Sequence, residues 1–306
     1  MKRLLAGELR RVLARRLVRI LALLGVAGIA LGGVLVFLNT EKLTASELQA
    51  RRAAAEARVQ ACLNGAPVEI SPGQIHPVPV DKRAEVCRFG QISRVHDPRF
   101  RLSRLKGVLQ GTTAPLVIVG WLIGASMIGA DWQSRTLTTL LTWEPRRFRV
   151  LVVKALACLI TAAVFTVLAQ ALLSAALLPS AFAHGTTANT GGAWIRSVFG
   201  VVARGTLLVS VATVIGFAVA SIGRNTAAAL GIGFAYFLII ENVVGNFLAG
   251  FRRWLLLGNA IVLVSGQNSG GDVPGRSVVA AGLFLTAVAA GLLLAATALF
   301  VRRDVA

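Results

Sequence analysis

Two apolar runs of the chain are joined by Gly129-Ala-Asp131-Trp-Gln-Ser-Arg135-Thr136-Leu-Thr-Thr-Leu140-Leu-Thr-Trp143-Glu144-Pro145-Arg146-Arg147-Phe-Arg149, and Lys154 follows just inside the second run. Carboxylates, guanidiniums and a large aromatic side chain in one short connection suit docking: Leu140 and Trp143 are anchor types, and Glu144 and Arg146 beside them could fix register by charge pairing. They do not suit catalysis. No apolar run carries paired carboxylates, a His-Glu-x-x-His helix or a Ser/His pair, so an intramembrane enzyme is disfavoured. His76, His96 and His184 have no ligand spacing to cysteine or carboxylate, so no metal site is expected. There is no G-x-x-x-x-G-K-[ST] phosphate loop, and Gly231-Ile-Gly233 inside an apolar run is too weak to replace one.

Two ionisable residues lie deeper. Arg204 and Glu241 fall in consecutive apolar runs of opposite direction, at similar depth from the same side. A charge there costs up to about 2.5–3.5 kcal/mol at the span centre, which favours a pair. Such a pair would be either a gate or substrate contact, or a salt bridge fixing helix register. Gln170, Asn242 and Asn246 could add interhelical hydrogen bonds. Cys62 and Cys87 share one polar stretch and are either bridged or two unpaired thiols, whereas Cys158 reads as a small buried apolar residue.

The elements that must position these groups are membrane helices. Mean hydropathy is +0.73, and 56% of the 306 residues are hydrophobic. Six apolar runs, roughly 20–38, 107–130, 150–178, 198–222, 226–248 and 278–301, are each long enough for a helix that crosses the bilayer. The fold class is all-α polytopic membrane protein. The net charge of +19 is distributed, and its distribution excludes a nucleic-acid binder. One side holds seven Lys/Arg in residues 1–19, five in 131–154, Arg224, Arg302 and Arg303, against Arg196, Arg252, Arg253 and Arg276 in the short connections of the other. The positive-inside bias therefore puts both termini in the cytoplasm. Residues 41–106, with twelve Lys/Arg and seven Asp/Glu, form too long a loop to obey that rule.

Residues 1–19 read as a basic helix with Leu5, Leu9, Val12, Leu13 and Ile20 on one side and Arg11 and Arg15 on the other. They either lie among lipid headgroups or serve as a plain orienting flank. Residues 20–306 form the transmembrane domain, with 39–106 an extracytoplasmic insertion and 131–149 a cytoplasmic segment. Within the insertion, Thr44-Ala-Ser-Glu47 has capping-box form and precedes an Ala/Glu/Arg-rich helix to Cys62. Pro67, Pro72, Pro77 and Pro79 then impose an extended or turn-rich stretch, a second helical piece is expected over 81–87, and the basic segment 97–106 either rests on headgroups or is a solvated face. Gly28/Gly32 and Gly120/Gly124 have the spacing of close helix packing. Leu255 to Val264 is apolar but too short to cross, so it is re-entrant or interfacial.

An acidic residue at the membrane exit, a short Thr/Leu-rich helix, a proline and an Arg-rich entry into the next span resemble the intracellular connection of ABC transporter permeases of the second exporter type. The resemblance extends in architecture to a basic N-terminal elbow helix, six spans and an outer re-entrant piece before the sixth. The outer loop after the first span is longer than in many members. The resemblance implies that 131–149 holds a coupling helix seated in a separate cytoplasmic ATPase, with Asp131, Arg135, Thr136, Leu140, Trp143, Glu144 and Arg146 as its contact surface. It implies a plasma-membrane permease that pairs with a second copy or a paralogue, with ATP and Mg held by the ATPase chains and no cofactor in this one. A non-transporting scaffold or sensor that recruits an ATPase and binds a partner through its outer loop is the alternative.

Overall fold

The computed structural model describes residues 2–65, 68–71, 74–76, 87, 99–134, 136–143, 146–247, 249–268, 273 and 275–302. Among the described residues it is helical apart from one small hairpin. In chain order the elements are α1 (Lys2–Ala14), α2 (Arg16–Leu38), α3 (Ala45–Leu63), β1 (Val68–Ser71), β2 (Gln74–His76), α4 (Leu105–Gln133), α5 (Thr136–Trp143), α6 (Arg147–Ala183), α7 (Gly192–Gly223), α8 (Thr226–Ala235), α9 (Leu256–Ser265) and α10 (Val278–Arg302). The helix of α8 continues as a nine-residue π-helix, Tyr236–Val244. Among the described residues six helices are long and apolar enough to cross a membrane: Arg16–Leu38, Leu102–Gln133, Arg147–Ala183, Gly192–Gly223, Thr226–Val244 and Val278–Arg302.

The chain divides into two compact units. The larger comprises Met1–Gly33, Ser103–Ala176 and Asn189–Ala306. Its centre is α7, 78% buried over its most apolar window against 6% for α2 and 11% for the fifth span, so these last two present most of their apolar surface outward. The tightest pair is α4 with α7. A Cβ at Gly120 would stand 2.7 Å from Thr213 Oγ1, and Gly124 abuts the Thr213 carbonyl, so only glycine lets the backbones meet. Gly28 and Gly32 face open space instead, and in the first span it is Gly33 that closes on Ala176. One apolar core collects Val12, Ile123, Met127, Leu137, Leu151, Phe217 and Phe300. A second collects Leu208, Val211, Leu263, Leu285 and Ala289. The first lies toward the end of the unit that carries Arg15, Asp131 and Arg224, called here the basic end; the second lies toward the opposite, far end.

The smaller unit comprises Val34–Leu102 and Leu177–Ala188. Its helix α3 starts as the sequence predicts: Thr44 Oγ1 accepts from Glu47 N, and the Glu47 carboxylate accepts from Thr44 N at 2.8 Å, completing the capping box. Those hydrogen bonds from Thr44 hold the Glu47 carboxyl below its ordinary range. β1 and β2 pair antiparallel, Val68 opposite His76. The expected helical piece over 81–87 lies outside the described residues apart from Cys87. Phe100–Leu102 bridges to Thr186 through Leu102 N to Thr186 O and Thr186 N to Phe100 O, both 3.0 Å, and Leu102 is buried rather than resting on a surface.

Cys62 and Cys87 form a disulfide with Cα atoms 5.8 Å apart. A closed loop of 25 residues contributes roughly 3 kcal/mol by restricting the unfolded chain. Non-reducing peptide mapping should recover the two cysteine peptides as one linked species. Alkylation of both thiols in the native, unreduced protein would contradict the bridge.

Candidate functional site

At the basic end of the larger unit four charged side chains meet, three of them buried and Arg15 partly so. Glu8 comes from α1, Arg15 from the break between α1 and α2, Asp131 from the last turn of α4 and Lys154 from the start of the third turn of α6. Lys154, Glu8 and Asp131 are 0%, 3% and 4% exposed. Lys154 Nζ donates to Asp131 Oδ2 at 2.6 Å and to Glu8 Oε2 at 2.9 Å. Arg15 donates to Asp131 Oδ1 and to the Ser126 carbonyl, each at 2.7 Å, and to the Met127 carbonyl at 3.1 Å. Arg11, half exposed, donates to Glu8 Oε1 at 3.0 Å.

Two carboxylates and two cations neutralise one another, and each carboxylate oxygen has a donor. That satisfaction is what makes burial tolerable, because ions taken out of water are stable only when geometry and hydrogen bonding are both good. A carboxylate at a helix C-terminus opposes the macrodipole, and Asp131 stands there, so the two cations offset that penalty as well. The local sequence makes the geometry. Leu5 and Leu9 pack on the core and Val12 is fully buried, which turns Glu8 inward on the same stripe of α1. The helix then breaks at Arg15, four residues before the boundary read from the sequence, as its guanidinium reaches into α4. Arg15 therefore does not lie on the headgroup side of a continuous amphipathic face.

Helix α5 runs between the two roots of this cluster. Leu137 is 1% exposed and Leu141 packs on the same core, one helical turn on, which docks one face of α5 against the bundle. Thr136, Thr139 and Thr142 are exposed and Leu140 is partly so. Of the residues expected to form the contact surface, Thr136, Leu140 and Arg146 are accessible, and Trp143 ends the helix although its side chain lies outside the described residues, as do Arg135 and Glu144. Asp131 is the correction. Its carboxylate is committed to Arg15 and Lys154 inside the protein and offers nothing to a partner. The neighbouring connection closes on the same end: Gln133 Nε2 donates to Asn225 Oδ1 at 2.9 Å, and Arg224 stacks 4.9 Å over the Trp132 ring. No protein-family model, curated protein or solved structure matches the chain. The cluster therefore stands on its own geometry.

Sequence reasoning missed Glu8, Arg15 and Lys154 as one unit. The signal was present. Lys154 sits five residues into an apolar run, where an ammonium must find a carboxylate, and Glu8 is the lone acid among the first nineteen residues.

The expected Arg204–Glu241 pair is not formed among the described residues. Glu241 Oε1 accepts from Leu257 N at 2.8 Å, in the first turn of α9. The Arg204 guanidinium lies instead against Gly266, the left-handed cap that ends α9; a Cβ there would stand 2.5 Å from Nη2. Both charges do sit at the far end, as their depth implied, but the ten residues of α9 separate them. Each lies where it complements a helix terminus, the anion by the first turn and the cation by the last. Gln170 is buried beside Gly205, and its amide has no hydrogen-bond partner among the described residues. Asn242 Nδ2 donates to the Phe237 carbonyl at 2.8 Å, and the Asn246 side chain lies outside the described residues.

Proposed function

We propose that this chain is the membrane subunit of an ABC exporter of the second type, residing in the plasma membrane with both termini cytoplasmic and paired with a second copy or a related permease. Two separate cytoplasmic ATPase chains carry ATP and Mg. In this reading α1 is the elbow helix, α5 the coupling helix and α9 the outer re-entrant piece. The observation that carries it is the mounting of α5: one face is docked on the bundle through Leu137 and Leu141, another stays accessible, and the cluster ties together the two helices it joins. A lever needs that construction. Force applied to a loosely attached loop is lost in local bending, whereas a displacement of α5 reaches α4 through Asp131, α6 through Lys154 and α1 through Glu8. The resemblance of the 131–154 segment to coupling connections supports the same assignment. ATP-driven closure of the ATPase pair would then move four elements together and alternate the access of a central path.

The test is affinity capture of the chain from native membranes, followed by ATPase and flux assays in lipid vesicles. An ATPase of the ABC class should co-purify, its hydrolysis should respond to amphiphilic substrates, and net flux should follow. A chain that purifies intact without any ATPase would overturn the assignment, and a bound ATPase with no flux would point to the scaffold.

A further inference from the structure

The far end of the larger unit is closed by α9, and its termini are satisfied by other helices. Its N-cap residue, Leu255, has no side chain able to cap. The Leu256 N–H is instead taken by Tyr236 Oη at 3.2 Å and the Leu257 N–H by Glu241 Oε1 at 2.8 Å, both from the π-helix of the fifth span. At the other end Gln110 Nε2 from α4 donates to the Val264 and Ser265 carbonyls, each at 3.1 Å. Asn259, fully buried in the middle, donates to the Arg253 and Leu255 carbonyls and accepts from Arg276 Nε at 2.9 Å.

The π winding decides whether the N-terminal cap can exist. Tyr236 and Glu241 are five residues apart. On an α-helix, at about 100° per residue, they would point about 140° away from each other. With the i→i+5 bonding of a π-helix, at roughly 80° per residue, the separation falls to about 40°, and both reach the same target. Most π segments are single-turn bulges. One nine residues long needs tertiary support, which the two bonds to the start of α9 supply; within the segment Asn242 Nδ2 bonds the Phe237 carbonyl, and just beyond it Arg252 Nε bonds the Gly245 carbonyl at 2.6 Å.

We infer that the fifth span and α9 form a two-position latch: the π form of Tyr236–Val244 holds the start of α9, and rewinding of that stretch to α swings Glu241 and Tyr236 apart and frees it. Release begins at the N-terminal end of α9, because its C-terminal end is held by Gln110 from α4, an element the rewinding does not touch. The inference does not depend on the transport assignment.

Amide exchange and carbonyl chemical shifts, measured by NMR on the full chain in lipid nanodiscs, test it residue by residue. Tyr236→Phe should speed exchange at Leu256 severalfold and leave Leu257 alone. Glu241→Ala should speed Leu257 by about tenfold and move the carbonyl shifts of Tyr236–Val244 toward α values. Deletion of Ile239 places Tyr236 and Glu241 four apart, which an α-helix puts on one face, so Leu256 and Leu257 should stay protected without the π form. Protection of α7 confirms that each variant is folded, and Tyr236→Phe, which loses one hydroxyl, decides the matter where Glu241→Ala does not fold. Unchanged exchange at Leu256 and Leu257 in the two substitutions overturns the latch, as do unchanged carbonyl shifts in Glu241→Ala. Exposure of both amides in a folded Ile239 deletion overturns it as well.

Discussion

Lys154→Met should destabilise the protein by roughly 3–5 kcal/mol, the cost of leaving a buried charge without its partner. Removing the ammonium leaves Glu8 with only the half-exposed Arg11 and Asp131 with only Arg15, and both carboxylates are almost fully buried. Glu8→Gln with Lys154→Met should recover part of that loss, because it leaves Asp131 on Arg15 and releases Arg11, already half exposed, to water. Asp131→Asn should be the worst single change, since it uncouples two cations at once; Glu8→Gln should be the mildest. Thermal unfolding of the purified variants in one lipid and at one salt concentration gives the order directly. A double variant as unstable as the sum of its singles would show that Glu8 and Lys154 do not interact.

The same four residues show what sequence alone could reach. The six spans were legible because apolar runs of membrane length have no other stable conformation in lipid, and the observed helices Thr226–Val244 and Val278–Arg302 start where the runs start. Helix α3 was legible because its capping box is a local device whose partners are three residues apart. The ionic cluster is not local. Asp131 lies 23 residues from Lys154 and 116 from Arg15, so its position at a membrane exit looked like solvent exposure when the fold makes it an interior junction.

Arg204 and Glu241 failed for a related reason. Depth along a span placed both at the same end, but depth has no azimuth, and a ten-residue helix between them supplies each with a dipole terminus in place of the other's charge. Position along the fifth span misleads further once the winding turns to π, because a face computed at 3.6 residues per turn is no longer the face that exists. The packing glycines split the same way: Gly120 and Gly124 meet α7, while the identically spaced Gly28 and Gly32 meet nothing within 4 Å, a difference set by neighbours and invisible in spacing.

The coupling of α5 to a separate ATPase is the central claim, and one variant tests it most directly. Leu140 is a partly exposed apolar residue on a helix whose Leu137 is already spent on the bundle, so truncating it spares the buried core contact, and Trp143 is the large aromatic residue that ends the helix. Leu137→Ala would damage the fold and is no substitute. Leu140→Ala with Trp143→Ala is compared with Leu256→Ala with Ile261→Ala at the far end, each captured with its ATPase and assayed for hydrolysis and transport in lipid. The first pair should yield a stable protein that binds the proposed ATPase poorly or fails to stimulate it, and the second should assemble normally. Normal partner binding and normal coupled transport in the Leu140/Trp143 variant would contradict the account.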